Sequence, residues 1–306
     1  MKYVLITSAR NEESYIHKTL ESVVAQTQLP ERWVILDDGS TDNTAEIVES
    51  YVARFPWISL IRRLNRPNRH FGGKADAVNS GFKFLENTKF DVVGNVDADI
   101  SFEPSLMEFL MEHFASDSKL GVAGVPYIEG NFDSGRDSFE GENFVAGQLQ
   151  LFRRQCFDEI GGYEKSKAGG VDWIAVMTAR MRGWKVRSFA EKRFIHHRLM
   201  NTAEKGILAA HVSYGQKDYY LGGSPLWEIF RLLFRAMKKP YLIGAAAMFC
   251  GYCHAAITRM ERPVSPELIR FHRHNQLKKL RNIFRSLRAF KKVDNFHLEN
   301  SQTKYS

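Results

Sequence analysis

The chain reads as an α/β protein, a mostly parallel sheet with helices on both faces followed by a helical C-terminal region. Three observations predict this. Short β-branched runs alternate with segments of helical apolar spacing through the first two hundred residues; the strand candidates end in turns rich in Asp, Gly and Ser; and from Tyr214 the composition turns apolar and basic. At 306 residues, 44% of them hydrophobic, the chain can bury one large core or two ordinary ones.

The elements follow in order. Tyr3 to Ile6 is a strand opening into a Thr7–Glu12 loop, and Ile16 to Ala25 carries apolar residues at helical spacing. Trp33 to Leu36 is a second strand, closed by Asp37-Asp38-Gly39-Ser40-Thr41-Asp42-Asn43-Thr44, with capping residues ahead of a helix from Ala45 to Ala53. Ile58 to Ile61 is a third strand and Lys74 to Leu85 a helix. Asp91 to Asn95 is a buried central strand that stops at Val96-Asp97-Ala98-Asp99, with a further helix starting near Pro104. Leu120 to Val125 and Gln148 to Arg153 are strands flanking a surface loop from Glu129 to Gly141, and Gly183 to Phe189 and Arg193 to His197 close this part. Trp33 and Trp184 belong to the core. The expected division is 1–213 and 214–306, with neither repeats nor low-complexity tracts.

The formal charge of +8 favours polyanionic partners without choosing among them. Cys156, Cys250 and Cys253 form neither a disulfide framework nor a four-ligand zinc site, and Cys250-Gly-Tyr-Cys253 reads as packing. The opening apolar run is far shorter than an export-signal core, so the expectation is a reducing, cytoplasmic setting.

Chemistry concentrates at the strand ends, where open α/β sheets bind ligands. Asp97 and Asp99 lie two apart on an extended segment, share a face, and can approach one hard cation; the alternative is a solvated turn. Asp37 and Asp38 can accept from a nucleobase N–H or ribose hydroxyls, although turn and capping chemistry already explains Gly39 and Asp42. Gly72-Gly73-Lys74 at a helix start offers backbone N–H groups and an ammonium to a diphosphate, with a plain helix start as the alternative; the Walker spacing is missing.

Taken together and in order, TSARNEESYI, LDDGSTDNT, GGKADAVNSG and VDADISFEP resemble the nucleotide-sugar domain of family 2 glycosyltransferases, which has the Rossmann-like GT-A fold. The resemblance covers roughly residues 1–200. It implies a nucleotide-sugar donor lined by Ser8, Ala9, Arg10, Glu12, Asp37, Asp38, Gly73, Lys74, Asn79 and Asp97. It also implies a divalent cation, Mn²⁺ or Mg²⁺, on Asp97 and Asp99. His197, in the pair His196-His197, matches a further metal ligand of some relatives.

The family's catalytic base lies eleven residues before a Gly-aromatic pair. Asp172 stands at that distance from Gly183-Trp184, with Val171 where an acidic neighbour is usual and Ile174 where a second Asp often occurs. Val171 leaves Asp172 without the usual acidic neighbour. Its structural alternative is a helix cap, and Trp173 beside it is suited to stack on an acceptor sugar. The Gln-x-x-Arg-Trp motif of processive synthases is missing, so transfer of a single sugar is expected. Inversion is implied by the family alone.

Pro240 to Thr258 contains no formal charge, close to the roughly 20 residues needed to cross a bilayer, and is read as interfacial, buried or spanning. Basic residues flank it at Lys238, Lys239, Arg259 and Arg262, and Leu268 to Lys292 is a basic amphipathic stretch suited to anionic headgroups. The sequence expectation is a metal-dependent transferase at the cytosolic face of an anionic membrane, acting on a glycan or lipid-linked acceptor. A catalytically silent relative that binds membranes is the alternative. A nucleotidyltransferase is disfavoured because the first-strand loop lacks glycine, and nucleic acid because acidic strand ends repel phosphate.

Overall fold

The computed structural model of the chain describes residues 1–63, 72–137, 141–166, 169–198, 206–237 and 240–289. Lys238 and Lys239, residues 138–140 of the expected loop and the end of the basic stretch at 290–292 lie outside them.

The chain runs β1 (Tyr3–Ala9), α1 (Ile16–Val24), β2 (Arg32–Asp37), α2 (Thr44–Val52), β3 (Ile58–Arg62), α3 (Gly72–Phe84), β4 (Val92–Val96), β5 (Ile100–Phe102), α4 (Leu106–Ser116), β6 (Leu120–Gly124), β7 (Tyr127–Glu129) and β8 (Phe132–Asp133). It continues with α5 (Ser134–Asp137), β9 (Leu149–Arg153), α6 (Arg154–Ile160), α7 (Val171–Met181), β10 (Lys185–Ser188), β11 (Phe194–His196), α8 (Ile207–Tyr220), α9 (Pro225–Ala236), α10 (Tyr241–Ile257) and α11 (Pro266–Arg288).

Seven strands form the main sheet in the order β10-β6-β9-β4-β1-β2-β3, all neighbours parallel except around β9, which runs antiparallel to β4 and β6. Alternation along β1 splits its side chains between two cores. Tyr3 and Leu5 join Trp33, Ile35 and the α1 and α4 residues on one face, while Val4 and Ile6 join Val34, Leu36, Val78 and Val176 on the other. Coverage on both faces explains why these strands read as unbroken apolar runs. Trp33 is fully buried, and Trp184 packs at the margin of the second core.

A second sheet, β5-β11-β7-β8, uses segments that sequence patterning placed elsewhere. β5 follows Asp99 directly, ahead of the helix at Pro104. β7 ends on the first residue of the stretch read as a loop and β8 lies within it, and β11 pairs here instead of extending the main sheet. Strands of two or three residues carry too little periodicity to be recognised.

Two compact units divide as Met1–Lys167 with Val171–Arg198, and Ala168–Gly170 with Leu199–Ser306. The division differs from the one expected at residue 213 because the composition changes halfway along α8. In the second unit, α8 and α10 cross with backbones nearly touching: a Cβ on Gly215 would meet the Met248 carbonyl oxygen at 1.9 Å, and one on Gly251 the Val212 carbonyl oxygen at 2.0 Å. Glycine is required at both crossing points. Cys250 is exposed, against its expected packing role.

Candidate active site

Parallel pairing of β1 with β2 and β4 brings their C-terminal ends to one edge. Asn11 has the left-handed φ of 55°. Its side-chain oxygen accepts the Thr41 N–H at 2.8 Å, and its own N–H donates to Ser40 Oγ at 3.0 Å. The two loops are thereby locked into one wall, on which Ser8 and Arg10 are half-buried and Ala9 and Glu12 buried. The Glu12 N–H donates to Thr44 Oγ1 at 2.7 Å, and its carboxylate pairs with Arg198. Asp37 serves the turn by accepting the Ser40 N–H at 2.9 Å. Asp38, also buried, donates its N–H to the Ala9 carbonyl at 2.9 Å and has Arg63 Nη1 4.0 Å from Oδ1.

Lys74 and Asp97 occupy the centre. Lys74, on the first turn of α3 next to the buried Gly73, places Nζ 2.6 Å from Asp97 Oδ1 and donates to the Gly147 carbonyl at 3.0 Å. Asn95 donates to that carbonyl at 2.8 Å. Asp172, on the first turn of α7, packs its carboxylate directly on Gly147: a Cβ there would lie 2.0 Å from Asp172 Oδ2. Glycine at 147 is what leaves room for the carboxylate. Tyr163 donates to Gln150 Oε1 at 2.5 Å, and Gln150 spans from the Val145 carbonyl at 2.8 Å to that of Asp172 at 3.5 Å, tying β9 to the start of α7.

These groups shift one another's protonation. Burial opposes the charge on Lys74, but Asp97, Asp172 and Asp99 together outweigh it and hold the ammonium above its ordinary pKa. Burial raises Asp97, with Lys74 opposing and the Asp99 charge adding. For Asp99 burial is outweighed by His196, Arg198 and Lys74, so its carboxyl stays below the usual range. The two carboxylates are thus driven apart, Asp99 remaining firmly anionic.

The second sheet explains how Asp99 is held. Its register sets Ile100 opposite His196 on β11, and Ile128 of β7 opposite Ile195. Glu129 therefore stands beside His196, and Asp99, one residue ahead of β5, reaches the other nitrogen of the same imidazole. His196 Nδ1 lies 2.6 Å from Glu129 Oε2, and Nε2 lies 3.4 Å from Asp99 Oδ2. Burial disfavours the imidazolium, but Asp99 and Glu129 outweigh it and raise the His196 pKa. Arg198 Nε approaches the same Asp99 oxygen at 3.5 Å.

Two expected site residues have other engagements. The ring hydrogen-bonded to Asp99 is that of His196; the His197 ring contacts Ser101 Oγ at 2.8 Å and Lys18 Nζ at 3.3 Å and stacks on Tyr15. Along the backbone Asp99 stands opposite His197, whose N–H donates to the Asp99 carbonyl at 2.9 Å, while its carboxylate meets the His196 ring. Asn79 is given to the fold, donating to the Tyr163 carbonyl at 2.7 Å and accepting the Tyr163 N–H at 2.9 Å. Sequence reasoning missed Glu129, Gly147, Gln150 and Arg198, because none belongs to a recognisable local motif.

Among the described residues no three His, Cys, Asp or Glu side chains form a ready-made metal cage. Asp97 and Asp99 still fit Mg²⁺ or Mn²⁺, which are commonly held by one or two carboxylates with substrate phosphates and water completing the sphere. Lys74 and Arg198 balance these carboxylates in the structure described here.

Residues 4–163, more than half of the chain, match the family Glycosyl transferase family 2. The chain belongs to that family, a class of enzymes built on the GT-A fold. It is 34% identical over 197 residues to poly-β-1,6-N-acetyl-D-glucosamine synthase of Staphylococcus aureus, covering 58% of this chain and 45% of the relative. It is 25% identical over 203 residues to β-monoglucosyldiacylglycerol synthase of Synechocystis, covering 60% and 41%. The chain therefore spans less than half the length of these curated relatives. Among solved structures, the mannosyltransferase PcManGT of Pyrobaculum calidifontis, in complex with GDP-Man and Mn²⁺, aligns with a TM-score of 0.55 at 16% identity, covering 99% of this chain and 87% of that one. TarS 1–349 of S. aureus with UDP-GlcNAc aligns at 0.56 and 16%, covering 98% and 91%. At such identities the likeness establishes the fold.

Proposed function

We propose that the chain is a metal-dependent, inverting glycosyltransferase that moves one sugar from a nucleotide-sugar donor to a hydroxyl of a glycan or lipid-linked acceptor, at the cytosolic face of an anionic membrane. The observation that carries the reading is the packing of Lys74, Asp97 and Asp172 around Gly147 at the C-terminal strand edge, with Asp99 beside them. It joins a cationic group suited to a diphosphate, a metal-binding carboxylate pair and a separate carboxylate for proton transfer.

In the proposed reaction Asp172 takes the proton of the acceptor hydroxyl as its oxygen bonds to the donor's anomeric carbon. The bond from that carbon to the phosphate oxygen breaks, and the nucleoside diphosphate leaves with the electron pair. Lys74 offsets the charge that develops on the diphosphate, and Asp97 and Asp99 would hold the cation that neutralises the rest. The loops after β1 and β2 would receive the nucleoside through Asp38, Ser8 and Arg10. The relatives support the reading through their printed names, which describe synthesis of a polysaccharide and of a glycolipid, and the structural neighbours through bound GDP-Man with Mn²⁺ and UDP-GlcNAc.

Calorimetry tests it. The purified chain is titrated with UDP- and GDP-sugars in Mn²⁺, in Mg²⁺ and in EDTA. Micromolar to millimolar binding of at least one donor, lost on chelation, is the expected result; undiminished binding in EDTA removes the metal, and no binding at all removes the transferase.

A further inference from the structure

α9 is turned inside out. After Pro225 its exposed side chains are Leu226, Ile229 and Leu233, continued by the C-cap Met237, a helical stripe in which Ile229 is 55% and Leu233 65% exposed. Its charged residues lie on the opposite side: Glu228 is buried against Asp218 of α8, Arg231 pairs with Asp218, and Arg235 is half-buried. A water-facing surface helix has the reverse arrangement, because burying charge costs more than burying leucine.

α10 repeats the pattern. Its 17 residues carry no formal charge. Gly244, Ala245, Met248, Gly251 and Ala255 turn inward, while Leu242 at 73% exposure, Ile243, Phe249 and Ile257 at 82% face out. Apart from Met248, small residues thus serve the protein interior, and the large apolar Leu242, Ile243, Phe249 and Ile257 the exterior. No helix among the described residues is long and apolar enough to cross a membrane.

α11 supplies charge. Its exposed face interleaves Leu277, Phe284 and Leu287 with Arg270, Lys278, Arg281, Arg285 and Arg288, while Leu268, Leu280 and Ile283 are buried.

We infer that the outer faces of α9 and α10 embed in the interface of an anionic lipid bilayer, with the basic face of α11 against its headgroups. Large apolar side chains with no charge among them suit acyl chains, and adjoining arginines and lysines interleaved with Phe and Leu suit a negative surface. Charge complementarity separates this occupant from a second copy of the chain, whose equally basic α11 would be repelled. The inference goes beyond the membrane setting proposed above by assigning the contacting faces and excluding a membrane-spanning arrangement. It does not depend on the glycosyltransferase chemistry.

The test is co-sedimentation of the full chain with phosphatidylcholine vesicles, with and without about one quarter phosphatidylglycerol. The parent is compared with I229E/L233E and with K278Q/R281Q/R285Q, all at exposed positions, with melting curves confirming that the variants fold. The parent is expected to bind anionic vesicles and to be only partly released by 1 M NaCl. I229E/L233E should lose at least tenfold in partitioning, and the triple variant its preference for anionic lipid. Parent protein that binds neither vesicle, or I229E/L233E that partitions like the parent, overturns the inference. So does a concentration-dependent dimer that I229E/L233E dissolves without any vesicle binding, since the face would then join two copies.

Discussion

Replacing Gly147 with alanine is a one-carbon change whose consequence can be worked from distances. A Cβ at that position would stand 2.0 Å from Oδ2 of Asp172 and 2.5 Å from its Cγ, whereas ordinary contacts begin near 3.4 Å. The carboxylate must withdraw by about 1.4 Å, or β9 and its preceding loop must shift instead, because close-packed interiors leave no slack. Misplacing a reacting group by about 1 Å costs on the order of a hundredfold in rate. Gly147→Ala is therefore expected to lower turnover by about a hundredfold while changing donor affinity by less than about threefold, since Lys74 meets the Gly147 carbonyl and not its Cα.

Overpacking also costs about 1–3 kcal/mol, so a drop in melting temperature of roughly 2–4 °C per kcal/mol accompanies the change. A double-mutant cycle separates the two effects. With Asp172 already replaced by glycine, which also removes the Cβ that would stand 2.7 Å from the new methyl, adding Gly147→Ala should cost little further rate, because the displaced group is gone. Turnover of the single variant within about threefold of the parent refutes the reasoning, as does an equal penalty in both backgrounds.

Three further outcomes follow from the same geometry. Asp99→Asn should weaken nucleotide-sugar binding at least tenfold in Mn²⁺, because an anionic ligand becomes neutral; unchanged calorimetric affinity removes Asp99 from the metal site. Glu129→Gln should weaken Mn²⁺ binding by about tenfold or more, read from the free-ion paramagnetic resonance signal, because His196 loses the carboxylate that orients it beside Asp99; an unaltered titration assigns Glu129 to folding alone. Burial, and then the Asp218 charge, push Glu228 from its ordinary 4.5 up to about 8. Between those values the unfolded chain has released a proton that the folded chain keeps, so stability is greatest below the lower value and falls as pH rises to the upper one. Glu228→Gln should melt at a higher temperature than the parent at pH 8 and lose the decline between pH 5 and 8; parallel melting profiles contradict this.

The parts of the fold that carry long apolar runs or a helical period were legible in the sequence. Strands β1, β2 and β4, buried on both faces, announce themselves as unbroken apolar runs and the helices behind them by their spacing, and Asp37, Asp38, Asp97 and Asp99 mark the strand ends. The second sheet was not legible, since β5, β7 and β11 have three residues each and derive their structure from pairing across long sequence separations. Glu129 and His196 met Asp99 only through that pairing. The choice between His196 and His197 depended on side-chain contacts that the strand register does not set, and the need for glycine at 147 on a side chain 25 positions later. The inverted α9 was hidden for a different reason: a helical apolar stripe looks the same whether it turns toward protein or away from it.

The central claim is that Asp172 moves the acceptor's proton while other residues hold the donor. Its most direct measurement is the pair of turnover number and donor affinity for Asp172→Asn against the parent, with a nucleotide sugar that the parent binds in Mn²⁺. Asparagine keeps the shape and cannot take a proton. Turnover lowered by about a hundredfold or more with donor affinity within about twofold is the result predicted here. Turnover retained, or turnover and affinity lost in equal measure, would contradict the account and return Asp172 to a structural or donor-binding role.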